Sequence, residues 1–242
     1  LLLAVGSTGC SNASGGGTGV ANEDGLVVLN VASTGQPVSF DPADANLVVN
    51  EYTEYDCYDT LLDFNQDGTD VVPALAESWE QVDDLTYTYK IREGVKFSDG
   101  SDLTMDDVLY SLNRVREDAY GMSYLFEHVD SFEVDEKTRT LTVHLTQPDS
   151  TWKYVPATTP CQILKKSVVE AEGDAYGTNE GSVVGTGPYK FVSWAADSQI
   201  VLEKNEYWWG GADNLAIDKI NFYVMKDAST IALAVKSGTI DF

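Results

Sequence analysis

Asp63, Asn65, Asp67 and Gly68 stand at the spacing that opens a calcium-binding loop, in which oxygen ligands alternate along the chain. The twelfth position of such a loop must supply two oxygens from a glutamate, and here it is Ala74, so the run reads as a hairpin turn. His128 and His144 cannot form an HExxH helix, and no cysteine pair stands at zinc-ligand spacing; both read as isolated structural histidines. Gly185-Thr186-Gly187-Pro188 lacks the third glycine of a dinucleotide loop and the Lys-Ser/Thr of a phosphate loop, and Pro188 removes an N–H donor. No GxSxG elbow is present. With 39 Asp and Glu residues, chance acid pairs are inevitable, and none is singled out as the acid and nucleophile of a glycosidase. Trp208 and Trp209 could stack on sugars, with packing beneath a strand the favoured use. No catalytic residue, metal ligand or cofactor is expected.

Cysteine chemistry is more informative. Leu1 to Val5 followed by Gly6-Ser7-Thr8-Gly9-Cys10 reads as the apolar end of an export signal and resembles a bacterial lipoprotein processing box, with Cys10 the residue that receives lipid. Ser7 departs from the leucine usual three places before that cysteine. Residues 11–19, rich in Gly, Ser and Thr, read as a flexible tether. Export makes a disulfide between Cys57 and Cys161 permissible, while two separate buried thiols are the commoner arrangement; spacing does not decide between them.

The elements that must position these residues follow from periodicity. Leu26 to Val31 reads as a buried strand ending at a turn before Pro37. From Asn46, apolar and aromatic residues recur at three- and four-residue steps through Leu61 and Leu62, which predicts one helix across that span. Leu85, Tyr87, Tyr89 and Ile91 alternate with polar residues as a half-buried strand does. Thr104-Met105-Asp106-Asp107 reads as a capping box opening a helix whose stripe is Val108, Leu109, Leu112 and Val115. Further strands are predicted at Leu141 to Leu145, Tyr189 to Trp194, Ile200 to Glu203 and Ile220 to Val224, then a helix from Ser229 to Val235 that Gly238 terminates. Strands in runs with interspersed helices favour an α+β fold with a mixed sheet over a doubly wound parallel one.

The chain has 242 residues, 43% hydrophobic and 11% aromatic, the composition of packed globular structure rather than a solvated tail. Its formal net charge of −24 opposes phosphate backbones and anionic membranes, so nucleic acid is excluded as a partner. No stretch approaches the roughly 20 apolar residues that span a bilayer.

Three runs then stand out together: Pro73-Ala74-Leu75-Ala76-Glu77-Ser78-Trp79, Thr86 through Gly100, and Leu103-Thr104 with Asp107 to Ser111. With Gly185 to Tyr189, Asn205, Tyr207-Trp208, Ile220, Asp227 and Ser237 to Asp241 in order, the chain resembles the family 5 extracellular solute-binding proteins, the oligopeptide-, dipeptide- and nickel-binding receptors of ABC importers. Ser98 stands where many relatives carry His, and Met105 where Ala is frequent. The resemblance implies a periplasmic-binding-protein-like clamshell of type II. Relatives are about twice as long, so it implies an N-terminal fragment holding the first lobe only, with the second lobe absent.

By the same resemblance, residues 26–44 with 160–242 form one discontinuous subdomain, 45–159 an inserted one, and 1–25 the signal remnant, lipidation cysteine and tether. Function is implied to be capture of a peptide, without chemistry, by a monomeric lipoprotein held outside the cytoplasm, which hands its solute to a permease and ATPase complex. Asn46, Leu47 and Val48 are implied to edge the cleft, Tyr120 or Tyr124 to face it, and Gly185, Thr186 and Gly187 to line it as a backbone-rich loop. Nickel, haem or oligosaccharide in the same fold, and a cell-surface glycosidase or adhesion module, are the alternatives.

Overall fold

The computed structural model describes residues 25–43, 48–117 and 122–242. The chain runs β1 (Val28–Ser33), α1 (Val48–Cys57), β2 (Leu62–Phe64), β3 (Val71–Pro73), β4 (Ala76–Asp83), β5 (Thr86–Ile91), α2 (Met105–Glu117), β6 (Val129–Asp135), β7 (Thr140–Leu145), α3 (Lys166–Glu172), β8 (Tyr189–Ala195), β9 (Gln199–Lys204), β10 (Lys219–Val224) and α4 (Ala228–Ser237). This is the α+β class expected. Short 3-10 turns, among them Ser123–Phe126 and Thr159–Cys161, fill the connections.

Two four-stranded sheets organise two cores. In the first, β4-β5-β7-β6, every pairing is antiparallel. Alternation places Tyr87, Tyr89 and Ile91 of β5 and Leu141, Val143 and Leu145 of β7 inward, in register as Tyr87 with Val143 and Tyr89 with Leu141. Helix α2 covers them with Met105, Val108, Leu112 and Val115, all buried. Its start is the expected capping box: Thr104 Oγ1 accepts the Asp107 N–H at 3.2 Å, and Asp107 Oδ2 accepts the Thr104 N–H at 3.0 Å. Acidic Asp106 and Asp107 in the first turn and basic Arg114 and Arg116 in the last suit the helix dipole.

The second sheet, β1-β10-β9-β8, is mixed, since β1 runs parallel to β10 while the other pairs are antiparallel. Its inner face buries Ile200, Leu202, Ile220 and Tyr189 against Phe40, Tyr58, Leu164, Val169 and Tyr176. Helix α4 follows with both ends set locally: Asp227 accepts the Thr230 N–H at 2.8 Å, and Gly238 closes the end at φ 75°.

The helix predicted to run from Asn46 through Leu62 is corrected: it stops at Cys57, and Leu62 opens β2 opposite Pro73. Tertiary hydrogen bonds end it, because the Cys57 carbonyl accepts the Gly187 N–H at 3.0 Å and the Asp59 carbonyl accepts the Ile163 N–H at 3.0 Å. Carbonyls used this way cannot continue a helical ladder. Leu61 and Leu62 are both buried, but in a bend and a strand, so their helical spacing is coincidental. The turn expected at Asn65 to Gly68 does join a hairpin, β2–β3, with Asn65 Oδ1 accepting the N–H groups of Thr69 and Asp70.

Candidate functional site

The two cores meet where α1 ends. A side chain on Gly187 would bring Cβ to 2.5 Å from the Cys57 carbonyl carbon, and one on Gly185 to 2.6 Å from the Tyr58 ring. Both glycines therefore permit a loop to lie flush on α1. The loop is tied further by Ser98 N–H donating to the Gly185 carbonyl at 2.8 Å and by Asn205 Nδ2 donating to that of Gly187 at 2.8 Å.

Asp59, two residues past α1, joins three segments. Its Oδ2 accepts the Thr186 hydroxyl at 2.9 Å and the Trp209 indole N–H at 2.8 Å. The Arg92 guanidinium lies 4.6 Å over the Trp209 ring while its Nε donates to the Ala74 carbonyl. Burial pushes the Asp59 carboxyl up to about 7, against the two donors, which favour the charged form. Burial likewise raises Asp56, on α1, to about 7.

A second polar cluster holds the corner after β1. Arg114 of α2 grips Asp41 bidentately, Nη1 to Oδ1 at 2.7 Å and Nη2 to Oδ2 at 2.6 Å. Asp41 Oδ1 also accepts the Ala43 N–H, and Ser39 Oγ the Asp41 N–H. Nearby, the hydroxyls of Tyr58 and Tyr176 pair at 2.8 Å, and burial drives both phenols above their ordinary range. These groups hold and orient chain.

Of the residues singled out from the sequence, Asn46, Leu47 and Tyr120 lie outside the described residues, as does Cys10. Val48 is the first residue of α1. Tyr124 sits in the 3-10 turn after α2, 62% exposed, with Phe126 of the same turn buried. Gly185, Thr186 and Gly187 are brought together, buried, with Thr186 fully enclosed. Cys57 and Cys161 are separate free thiols, both buried. His128 faces Gln147 and Glu127, and His144 faces Glu133. Among the described residues, no group of three or more His, Cys, Asp or Glu could hold a metal ion. Asp59, Asp41 and Arg114 carry no signal in the sequence, and Trp209 is expected there only to stack on sugar or pack beneath a strand, not to donate to a carboxylate.

Comparison with known proteins adds the decisive observation. Residues 70–242 match the family model described as bacterial extracellular solute-binding proteins, family 5 Middle. The chain belongs to this family. It is 28% identical over 238 residues to the dipeptide-binding protein DppE of Bacillus subtilis, covering 91% of this chain and 43% of that protein. It is 29% identical over 231 residues to heme-binding protein A of Haemophilus influenzae, covering 85% and 41% respectively. Among solved structures, the oligopeptide-binding protein AppA of Bacillus subtilis, in complex with a nonapeptide, superposes with a TM-score of 0.78 at 26% identity, covering 88% of this chain and 43% of that one. The family member thus has the fold of periplasmic binding proteins, and it spans less than half the length of these relatives. No helix among the described residues is long and apolar enough to cross a membrane.

Proposed function

We infer that this chain forms one wall of the solute cleft of an ABC importer's binding protein, and that the solute is a peptide. The reading is carried by the likeness in fold to a peptide-bound structure together with 28% identity to a dipeptide-binding protein. In this proposal residues 26–44 with 160–242 and residues 45–159 are two subdomains of the first lobe, and a second lobe closes over the solute. Asn46, Leu47 and Val48 edge the cleft, Tyr120 or Tyr124 faces it, and the buried Gly185-Thr186-Gly187 loop serves it by fixing the end of α1. The receptor is a monomer outside the cytoplasm, anchored by lipid on Cys10, and passes unaltered solute to a permease and ATPase complex.

Native mass spectrometry of the whole protein, purified without denaturation, tests this. Co-purified peptides are expected. Haem, nickel or oligosaccharide in their place would overturn the peptide assignment while leaving transport intact; the 29% identity to a heme-binding protein makes haem the specific rival. Hydrolysis of an added tripeptide would overturn capture without chemistry.

A further inference from the structure

The feature that the solute reading leaves unused is the Asp59 carboxyl at the junction of the two sheets. One oxygen of this half-buried side chain takes two donors from loops more than a hundred residues away, Thr186 and Trp209. Each donor belongs to a segment held to a different core. Thr186 lies in the loop pressed on α1 and leads into β8, whereas Trp209 packs against the core of the β4-β5-β7-β6 sheet. The Asp59 backbone carbonyl takes the Ile163 N–H from the segment entering α3. One residue therefore ties together four stretches of chain.

We propose that Asp59 is a proton-responsive clasp between the two sheet units: ionised, it grips Trp209 and Thr186 through charge-assisted hydrogen bonds, and protonated, it holds them more weakly. The charges facing it leave the proton free to come and go near neutrality. Asp56 on α1 and Asp63 at β2 are themselves acids whose carboxyls burial raises, and Asp63 disfavours a second negative charge. On the other side, the Arg92 guanidinium is engaged with the Trp209 ring and the Ala74 carbonyl. Burial opposes ionisation and the two donors favour it, which sets the midpoint at about 7. Because ionisation and donation are linked, losing either donor must raise that midpoint.

The test is a proton–nitrogen correlation spectrum of the protein from pH 5 to 9. The chain has 5 tryptophans, so 5 indole N–H signals are expected, of which Trp209→Phe identifies one. That signal should move with a midpoint of about 7 in the wild type and stay flat in Asp59→Asn. The backbone amides of Gly187 and Ile163, which bond across the same junction, should move with the same midpoint and lose it in the variant. Thr186→Val should shift the midpoint upward. An indole signal flat across the range, or one that still titrates in Asp59→Asn, overturns the proposal. An indole response without the amide response also overturns it, since ionisation would then stay local. Should Asp59→Asn fail to fold, the wild-type and Thr186→Val titrations decide alone: an unmoved midpoint refutes the clasp.

Discussion

Cutting the Asp41–Arg114 pair should be among the most damaging changes this chain can suffer. The two side chains are only 7% and 12% exposed, and the guanidinium meets the carboxylate through two parallel contacts of 2.7 and 2.6 Å. Arg114→Met keeps the apolar stem and removes the counter-charge of a buried carboxylate; Asp41→Asn keeps the bond to the Ala43 N–H and removes this counter-charge from the guanidinium. Removing one member of a buried pair costs about 3 to 5 kcal/mol, because the survivor stays desolvated without its counter-charge. The double variant strands neither charge, so it should be more stable than the sum of the two singles implies, by about 1 to 3 kcal/mol. Urea unfolding of the four proteins, followed by tryptophan fluorescence, reads these differences as midpoint shifts at constant m-value. Single variants that each cost less than about 1 kcal/mol, or singles that add within about 0.5 kcal/mol in the double, would refute the reasoning.

Gly187→Ala forces Cβ onto backbone atoms at 2.5 to 2.7 Å that cannot rotate away, and should cost several times the roughly 0.5 kcal/mol of an ordinary surface change; Gly35→Ala, with open space around it and no left-handed backbone, serves as the control. In acid-to-neutral unfolding series, the contribution of Asp59 has a definite sign. Its folded value of about 7 exceeds its ordinary 3.8, so the native state holds a proton that the unfolded chain releases. Its contribution to stability therefore falls as pH rises from about 4 to 7, by up to about 1.4 kcal/mol per unit, and levels above that; Asp59→Asn should remove this slope. Cys57 and Cys161, buried and with thiols pushed well up by burial, should react with a thiol reagent at pH 8 only as fast as the protein opens, which mass spectrometry of the quenched reaction can time. Trialanine should bind a protein carrying both lobes far more tightly than residues 26–242 alone by calorimetry; equal affinities would contradict the two-walled cleft.

Where local chemistry decides structure, the sequence was legible. The alternation of Tyr87, Tyr89 and Ile91, the Thr104–Asp107 box, the Asn65 turn and the Gly238 cap all act over a few residues, and all are observed. Strand β4 escaped notice because, at the edge of its sheet, it is mostly exposed and carries no alternating stripe. Strand β6, the opposite edge, is hidden for another reason: an irregularity between Val129 and Ser131 puts Val129 out of phase with Phe132 and Val134, which shortens its alternation. The end of α1 was misread because what stops it is a glycine loop 130 residues away. No local pattern in Asp59 announces Trp209, and none in Asp41 announces Arg114; such partners become visible only once the chain is folded. The resemblance of Pro73 to Ser111 to a known family carried the identification, since those residues specify a turn and a helix start rather than a reacting group.

The parallel pairing of Val28–Ser33 with Lys219–Val224 carries a consequence for how the molecule assembles. The partners are 191 residues apart, so a ribosome delivers the first strand long before anything exists for it to join. Meanwhile the antiparallel sheet between Ala76 and Leu145 can condense from nearer neighbours, its contacts being far less distant along the polymer. The opening strand must wait, unsatisfied and apolar, until Lys219–Val224 is made. That interval is when a chaperone has something to hold.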